Sequence, residues 1–373
     1  EIRLSLVGSE MCIRDRFKAM PACIFLLPNS LPSPNEIKAL GKDAYPPVLR
    51  NFLEGFGEPK VATIFENPAL SGFASMQWVW MLLTQRENLA PSAPYLWKGL
   101  GGPKVHQEFW ALNGYRKENG VLKSAGDVFD IDEECDLRDL LNPIARQFNF
   151  EVQVLDGRFF LARKKAWQVL ITPWLAQEDK PAAQPAGPEA AEWTEITRVI
   201  EESLAKSVFN EYRAKAGRPP VEGFWINGGA FEEQLLPYTQ IRCALTSDPT
   251  IRGISEAAGI ARAYIKSSTA VWPDCPEGDR LCILDDFNDP SVKTDPARWS
   301  AAWTRAVKRM EHLTATAKGF EKYHPRLVAS DGLRVSVIEK LQEQKSSFAF
   351  WKSPKNYTCL LYTSDAADDR ISV

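Results

Sequence analysis

Long apolar runs are missing from this chain of 373 residues. A membrane-spanning helix needs about 18 or more consecutive apolar residues. The longest apolar stretches, around Met76 to Leu83 and Ala22 to Leu27, are much shorter than that. No stretch led by Arg or Lys precedes Ala22 in the manner of a signal peptide. The sequence therefore predicts a cytoplasmic protein with no membrane partner.

An excess of basic charge is also missing. Lys and Arg together number 45 and Asp and Glu number 48, so the formal net charge is -3. Nucleic-acid binding depends on clustered Lys and Arg that neutralise phosphates. We therefore expect no nucleic-acid partner.

Cysteine pairs at metal-ligand spacing are lacking as well. Outside the two terminal segments discussed below, five cysteines remain: Cys23, Cys135, Cys243, Cys275 and Cys282. An odd number of scattered cysteines in a large chain favours reduced thiols over a disulfide framework. Cys275 and Cys282 have no second pair and no nearby His, whereas a structural zinc ion takes four ligands. We read them as ordinary thiols and expect no metal or other cofactor.

When the two ends of the chain are translated back into codons, they read as the two complementary strands of one DNA sequence. Leu6 to Arg16 reads as one strand of a transposase library adapter, and Cys359 to Asp369 carries the complement of the same sequence. Two unrelated protein segments do not share such a repeat by chance. We interpret residues 1–16 and 359–373 as translated adapter and leave them out of the fold prediction.

Composition and periodicity divide the remaining residues into four parts. Residues 17–105 are expected to form the N-terminal part of an α/β core, and residues 106–175 a compact α+β subdomain. Residues 176–192 are rich in Pro, Ala and Gly, which is the composition of a linker. Residues 193–358 are expected to form the C-terminal α/β part, because helices and strands alternate there.

Runs in which apolar and polar residues alternate, and short continuous apolar runs, predict the strands. Apolar residues at helical spacing predict the helices. Expected strands are Ala22–Leu27, Glu108–Arg116, Val121–Ala125, Glu151–Leu155, Phe159–Arg163, Trp167–Ile171, Val221–Ile226, Ile241–Leu245, Leu281–Leu284 and Arg326–Ala329. Expected helices include Asp132–Phe148, Trp193–Ala216 and Ala297–Thr316. Gly120 and Asp156-Gly157 are expected at hairpin turns, and Ser247 or Asp248 at a helix N-cap before Pro249.

Two segments carry a resemblance to a known family. Residues 210–230 (NEYRAKAGRPPVEGFWINGGA) and 244–259 (ALTSDPTIRGISEAAG) resemble a proteobacterial family described as Rpf-type regulatory proteins or as phosphoglycerate mutase-like proteins. The first segment matches the family pattern at Asn210, Arg213, Gly217, Pro219, Val221, Trp225, Gly228 and Gly229. The second matches it at Asp248, Pro249, Arg252, Gly253 and Gly259. The resemblance extends loosely from Leu26 to Trp351.

That family is in turn similar to the archaeal type of cofactor-independent phosphoglycerate mutase in the alkaline phosphatase superfamily. The resemblance implies an α/β fold, with an alkaline-phosphatase-like sheet covered by helices on both faces and an inserted α+β subdomain. It also implies a Ser nucleophile between two metal ions held by Asp and His, since two cations neutralise a transferring phosphoryl group.

The chain departs from the superfamily's ligand pattern. It contains three histidines, and none stands in the expected Asp-His pair, whose place is taken by Ser330-Asp331-Gly332. Pro28-Asn29 stands where the enzymes carry a metal-binding Asp and a Gly. The dinuclear metal site is therefore expected to be lost.

Four carboxylates are the remaining candidates for a reduced metal site. Asp285, Asp286 and Asp289 follow a predicted strand, and Asp331 follows another. Asp286 and Asp331 are candidate catalytic residues, and Asp285, Asp289 and Asp331 are candidate metal ligands. The alternative is that each Asp caps a turn or a helix, which is a common use of this residue.

Four further residues are candidates for binding a ligand. Gly228 and Gly229 could bring bare backbone amides close to a phosphate, or could only supply a turn. Arg213 and Arg252 could bind a phosphate or carboxylate through the guanidinium, or could pair with an acid of the protein.

Two hypotheses follow from the sequence. The first is a non-catalytic phosphomutase-derived protein that binds a phosphorylated small molecule or a protein partner. The second is an active phosphomutase or phosphatase with a reduced, Asp-based divalent metal site. Fold-level analogy does not decide between them.

Overall fold

A computed structural model describes residues 21–235, 240–265, 271–317 and 323–340. The two terminal segments interpreted as adapter lie outside these ranges, as do Phe350 and Trp351. Within the described ranges, every helix is too short or too polar to cross a membrane.

The described residues form strands and helices in mixed order along the chain. The strands are β1 Ala22–Leu27, β2 Lys60–Thr63, β3 Glu108–Glu118, β4 Val121–Gly126, β5 Glu151–Leu155, β6 Arg158–Arg163, β7 Gly223–Phe231, β8 Ile241–Thr246, β9 Ala261–Tyr264, β10 Asp279–Ile283, β11 His324–Ser330 and β12 Arg334–Glu339. The α-helices are α1 Pro34–Leu40, α2 Pro47–Phe52, α3 Ala74–Thr84, α4 Ala93–Gly99, α5 Ile131–Gln147, α6 Trp174–Gln177, α7 Ala190–Lys206, α8 Phe209–Lys215, α9 Pro249–Ala257 and α10 Pro296–Thr316.

The main sheet has seven strands in the order β2-β12-β11-β1-β10-β8-β9. The five strands from β11 to β9 run parallel, whereas β12 and β2 complete one edge as antiparallel strands. Alternation of helices with strands in the sequence predicts such a mixed α/β sheet, and that prediction is confirmed.

Helices cover both faces of this sheet. The odd-numbered residues of β1, among them Phe25, face a core that includes Trp299 and Trp303 of α10. The even-numbered residues of β1 face a second core that includes Trp78 and Trp80 of α3. Because both faces of the sheet are covered, all six residues of β1 are buried. This explains why the strand is a continuous apolar run and does not alternate apolar with polar residues. Trp78 and Trp80 are both buried in this second core.

A second, five-stranded sheet is built from the chain between β2 and β8, as expected for an inserted subdomain. Its central strand β3 pairs with β4, β6 and β7, and β5 pairs with β6. Strand β7 and helices α7 and α8 belong to this subdomain, because Trp193, Phe209 and Phe224 share its core. The subdomain therefore extends past the expected boundary at residue 175, since sequence alternation alone does not say which sheet a strand joins.

Three local expectations differ from the structure. The expected helix Trp193–Ala216 is two helices, because Ser207 adopts an extended conformation that ends α7. The segment Trp167–Ile171 contributes only an isolated bridge from Leu170 to Ala186, and not a strand. The expected linker 176–192 is packed against the subdomain, where the buried amide of Gln177 receives the Ala183 N–H at 3.0 Å.

The turn and cap expectations are confirmed. Gly120 and Gly157 both have positive φ and close the hairpins β3-β4 and β5-β6. The side chain of Asp248 accepts hydrogen bonds from the backbone N–H groups of Thr250 and Ile251, which caps α9.

Candidate functional site

The carboxyl ends of four parallel strands meet at one edge of the main sheet. The residues that follow β1, β8, β10 and β11 at this edge are Asn29, Ser247, Asp285 and Asp331, each with its neighbours. Open α/β sheets bind their ligands at this edge. We refer to it as the carboxyl edge.

Asp285 and Asp286 form ion pairs with helix α10. The Nη1 of Arg309 lies 3.1 Å from Asp285 Oδ1 and 2.9 Å from Asp286 Oδ2, and Arg305 Nε lies 3.1 Å from Asp286 Oδ1. Ser247 donates its hydroxyl to Asp285 at 3.0 Å. Burial disfavours the charge on Asp285, but the hydrogen bonds from Arg309 and Ser247 outweigh it and lower the pKa of this carboxyl.

Asp289 and Asp331 each close a local turn. Asp289 accepts the Ser291 N–H at 2.9 Å, which caps the 3₁₀ turn Pro290–Lys293. Hydrogen bonds from the Ser291 hydroxyl, at 2.7 Å, and from the Ser291 N–H lower the pKa of Asp289. Asp331 accepts the backbone N–H groups of Leu333 and Arg334 at 2.8 and 2.6 Å. It also pairs with the Arg334 guanidinium at 2.8 Å.

Asp285 and Asp286 share the partner Arg309, whereas Asp289 and Asp331 each have partners of their own. Asp285 and Asp286 turn toward α10, while Asp289 and Asp331 bond within their own turns. In the described ranges, no group of three or more His, Cys, Asp or Glu side chains is placed to hold a metal ion. A bridging dinuclear site needs several carboxylates around one point, so these residues do not fit it.

Two hydroxyl groups that sequence reasoning did not bring together meet at the carboxyl edge. Ser75 Oγ in the first turn of α3 lies 2.5 Å from Ser330 Oγ at the end of β11. Asn29 N–H also donates to Ser330 Oγ, at 3.3 Å. A single Ser at the start of a mainly apolar helix was the sequence signal for Ser75.

Lys293 adds a cationic group near this edge. Its Nζ lies 3.4 Å from the carbonyl oxygen of Leu31, in the loop that follows β1. Burial lowers the pKa of Lys293, and the charges of Glu36 and Asp331 oppose that shift. The chain thus places a half-buried amine close to Asp331.

Arg213, a predicted ligand-binding residue, is a structural group of the subdomain. Its guanidinium is buried and lies 2.5 Å from Glu133, and it donates to the carbonyl oxygens of Pro219 and Ala125 at 2.7 and 2.8 Å. These bonds use all three guanidinium nitrogens. Arg213 therefore has the acid partner that the alternative expected, and these contacts favour a structural role over ligand binding.

Gly228 and Gly229 lie within β7 and allow close packing there. A Cβ on Gly228 would lie 2.0 Å from Ser92 Oγ, and one on Gly229 would lie 1.9 Å from the Trp110 ring. Gly228 also has a φ of 68°, which favours glycine. Packing accounts for both glycines, and neither stands at a helix N-terminus as a phosphate loop would require.

Residues 244–259, the second segment that resembles the family, include helix α9, which crosses α4 in close contact. A Cβ on Gly253 would lie 1.8 Å from the carbonyl oxygen of Tyr95, so only glycine permits this approach. Arg252 lies half-buried on the same helix, in the main domain and in a different element from Arg213 and from the glycine pair of β7. The four predicted ligand-binding residues thus lie on three different elements, α8, β7 and α9.

No protein-family model matches the sequence, and no curated protein matches it either. Solved structures are similar to the chain, and two of them are named here. One is the cofactor-independent phosphoglycerate mutase from Thermoplasma acidophilum DSM 1728, with 13% identity, a TM-score of 0.42, and coverage of 86% of this chain and 90% of that chain. The other is the PH0037 protein from Pyrococcus horikoshii, with 12% identity, a TM-score of 0.45, and coverage of 86% and 88%.

Proposed function

We propose that this chain is a phosphoglycerate mutase-like protein that binds a phosphorylated small molecule at the carboxyl edge without catalysing phosphoryl transfer. Membership of the Rpf-type family is part of this proposal and rests on the two sequence segments that resemble it. A cytoplasmic location is also part of it, because the described cysteines are unbridged.

The partners of the carboxylates support a non-catalytic role. Metal-assisted phosphoryl transfer needs ligands that converge on the reacting group. The ion pairs of Asp286 with Arg309 and Arg305 instead occupy one candidate carboxylate completely, and Asp331 is occupied by its own turn. A carboxylate that already neutralises an arginine offers a cation little additional stabilisation.

The proposal that the ligand is a phosphorylated molecule rests on one observation. The hydroxyl groups of Ser75 and Ser330 lie in contact at the first turn of α3. The first turn of a helix leaves backbone N–H groups without intrahelical partners, and the helix dipole favours an anion there. The N-cap residue Phe73 supplies no side-chain hydrogen bond to this turn. Hydroxyl groups and open amides together suit the oxygens of a phosphate.

Metal content and turnover test the non-catalytic part. The purified protein is supplied with manganese, zinc or magnesium and a panel of phosphorylated three-carbon acids. We expect neither stoichiometric metal nor product. Turnover that the Asp331→Ala substitution abolishes would establish the alternative, an active metal-dependent phosphomutase or phosphatase.

Calorimetry with inorganic phosphate and 3-phosphoglycerate tests the binding part. We expect Ser75→Ala to weaken binding about 10- to 150-fold, because a hydrogen bond to a charged group contributes roughly 1.5–3 kcal/mol. Ser203→Ala is the matched control, since Ser203 bonds only to the Val199 carbonyl of α7 in the described structure. Absence of binding to either probe contradicts the small-molecule proposal and leaves a protein partner as the ligand to seek.

A further inference from the structure

A groove of about 370 Å³ lies in the subdomain between helices α5 and α8. One wall consists of Phe209 and Tyr212 of α8 and of Ala216 just after it, which recur at helical spacing. Phe209 belongs to the subdomain core, so this wall is apolar at its base. The other wall, on α5, consists of carboxylates. The groove is therefore large enough to receive side chains of a binding partner.

The groove carries more negative than positive charge. Four carboxylates line it: Asp130, Asp132, Glu133 and Asp136. The guanidinium of Arg218 lies 2.6 Å from Asp130 and 2.8 Å from Glu133, and Arg213 also pairs with Glu133. Within the described ranges, no basic side chain forms an ion pair with Asp132 or Asp136. The groove is thus left with two negative charges that the protein does not neutralise.

The helix dipole explains only part of this charge. Asp132 is in the first turn of α5, where the dipole favours a carboxylate. Asp136 lies one turn later on the same face, and the exposed Asp139 follows after another turn. The dipole acts within the first turn, so it does not stabilise these two. The acidic face of α5 therefore continues past the groove.

Exposed apolar side chains accompany the acidic ones. Tyr212 lines the groove and is 57% exposed, and Ile131 and Val208, which are 69% and 54% exposed, are chain neighbours of lining residues. Single exposed apolar residues are ordinary, whereas a group of them marks a contact site for another protein. The Tyr212 ring also attracts cations, because Lys215 Nζ lies 5.4 Å from its centroid. A small cation cannot cover these apolar side chains, but a polypeptide segment can.

We propose that the groove between α5 and α8 binds a basic and apolar segment of a partner protein. Arg or Lys side chains of that segment pair with Asp132 and Asp136, and its large apolar side chains pack on Tyr212 and Ile131. Complementary charge selects the partner and speeds its association, while burial of the aromatic ring supplies much of the affinity. The groove shares no residue with the carboxyl edge, so this binding does not depend on a phosphorylated ligand.

A labelled peptide provides the direct test. The probe is a short fluorescein-labelled peptide in which Arg and Leu alternate, and fluorescence anisotropy measures its binding to the full chain. Two matched peptides carry Gln in place of Arg or Ser in place of Leu. We expect the Arg-Leu peptide to bind about tenfold tighter than either of them. Its affinity should fall as salt is added, because exposed ion pairs are screened.

Variants of the groove locate the binding site. Asp132→Asn combined with Asp136→Asn should weaken binding about fivefold, and Tyr212→Ala about tenfold, because an interface aromatic contributes more than exposed ion pairs. All three side chains are exposed, so the melting temperature should stay unchanged. Glu58→Gln combined with Glu87→Gln is the matched control. It removes the same charge from exposed positions of the main domain and should leave binding unchanged.

Three results would overturn the proposal. Equal binding by the groove variants and the control variant would place the site elsewhere. Equal binding of the Gln peptide would exclude recognition by charge. Equal binding of the Ser peptide, or displacement of the probe by an equal concentration of arginine amide, would make the groove a site for small cations and not for a polypeptide.

Discussion

Replacement of Arg213 by Ala distinguishes a structural arginine from a ligand-binding one. Arg213 is 5% exposed and makes an ion pair with Glu133, whose side chain is also nearly buried. The substitution removes the ion pair, leaves the carbonyl oxygens of Pro219 and Ala125 without this donor, and opens a space beside the ring of Phe129. Each of these changes removes interactions of the folded state, so the substitution lowers the free energy of unfolding.

The expected destabilisation follows from these contacts. Removal of one partner from a buried ion pair costs roughly 3–5 kcal/mol, because the remaining charge stays buried. Glu133 keeps a second partner, Arg218 at 2.8 Å, which lowers the expected loss to the lower end of this range. We therefore expect Arg213→Ala to reduce the free energy of unfolding by about 3 kcal/mol.

Urea denaturation followed by tryptophan fluorescence measures this loss, since Trp193 and Trp225 lie in the same core. Arg198→Ala is the matched control: Arg198 is half exposed and pairs with Glu195 and Glu202 on the surface of α7. Such pairs contribute less than about 1 kcal/mol. If Arg213→Ala is as stable as this control but binds phosphate less tightly, the structural assignment of Arg213 is wrong.

Two further predictions concern packing and pH. Gly229→Ala should destabilise the fold by about 1–3 kcal/mol in the same assay, because its Cβ would overlap the Trp110 ring; a neutral result would contradict the close approach of β7. Burial lowers the pKa of His324 in the folded state, with Glu339 opposing it. The unfolded chain then takes up the proton first, so stability should fall as pH drops below about 6.5. In the His324→Gln variant, the free energy of unfolding should vary less between pH 7 and 5. If it varies as steeply as in the unsubstituted protein, His324 is not the group responsible.

Local structure was largely predictable because short-range chemistry specifies it. The hairpin at Asp156-Gly157 and the N-cap at Asp248 follow from residue types that tolerate positive φ or accept a backbone N–H. Strand β1 was identified from an apolar run that ends at prolines. In contrast, Ser207 breaks the predicted helix because Phe209 and Trp193 both have to reach the subdomain core, and periodicity does not contain that requirement.

The candidate site was less predictable because its contacts join distant parts of the chain. The sequence placed Asp285, Asp286 and Asp331 at strand ends, and they lie there. Whether those carboxylates converge depends on helix α10, which brings Arg309 between Asp285 and Asp286 from another part of the chain.

The sequence by itself determined most of the strands, the turns and the α/β class, since apolar period and turn chemistry act over a few residues. The tertiary structure alone decided that β7 joins the second sheet and that Ser75 meets Ser330 across 255 positions. Such pairings depend on the order of strands in a sheet and on which face each helix covers, and neighbouring residues do not specify either.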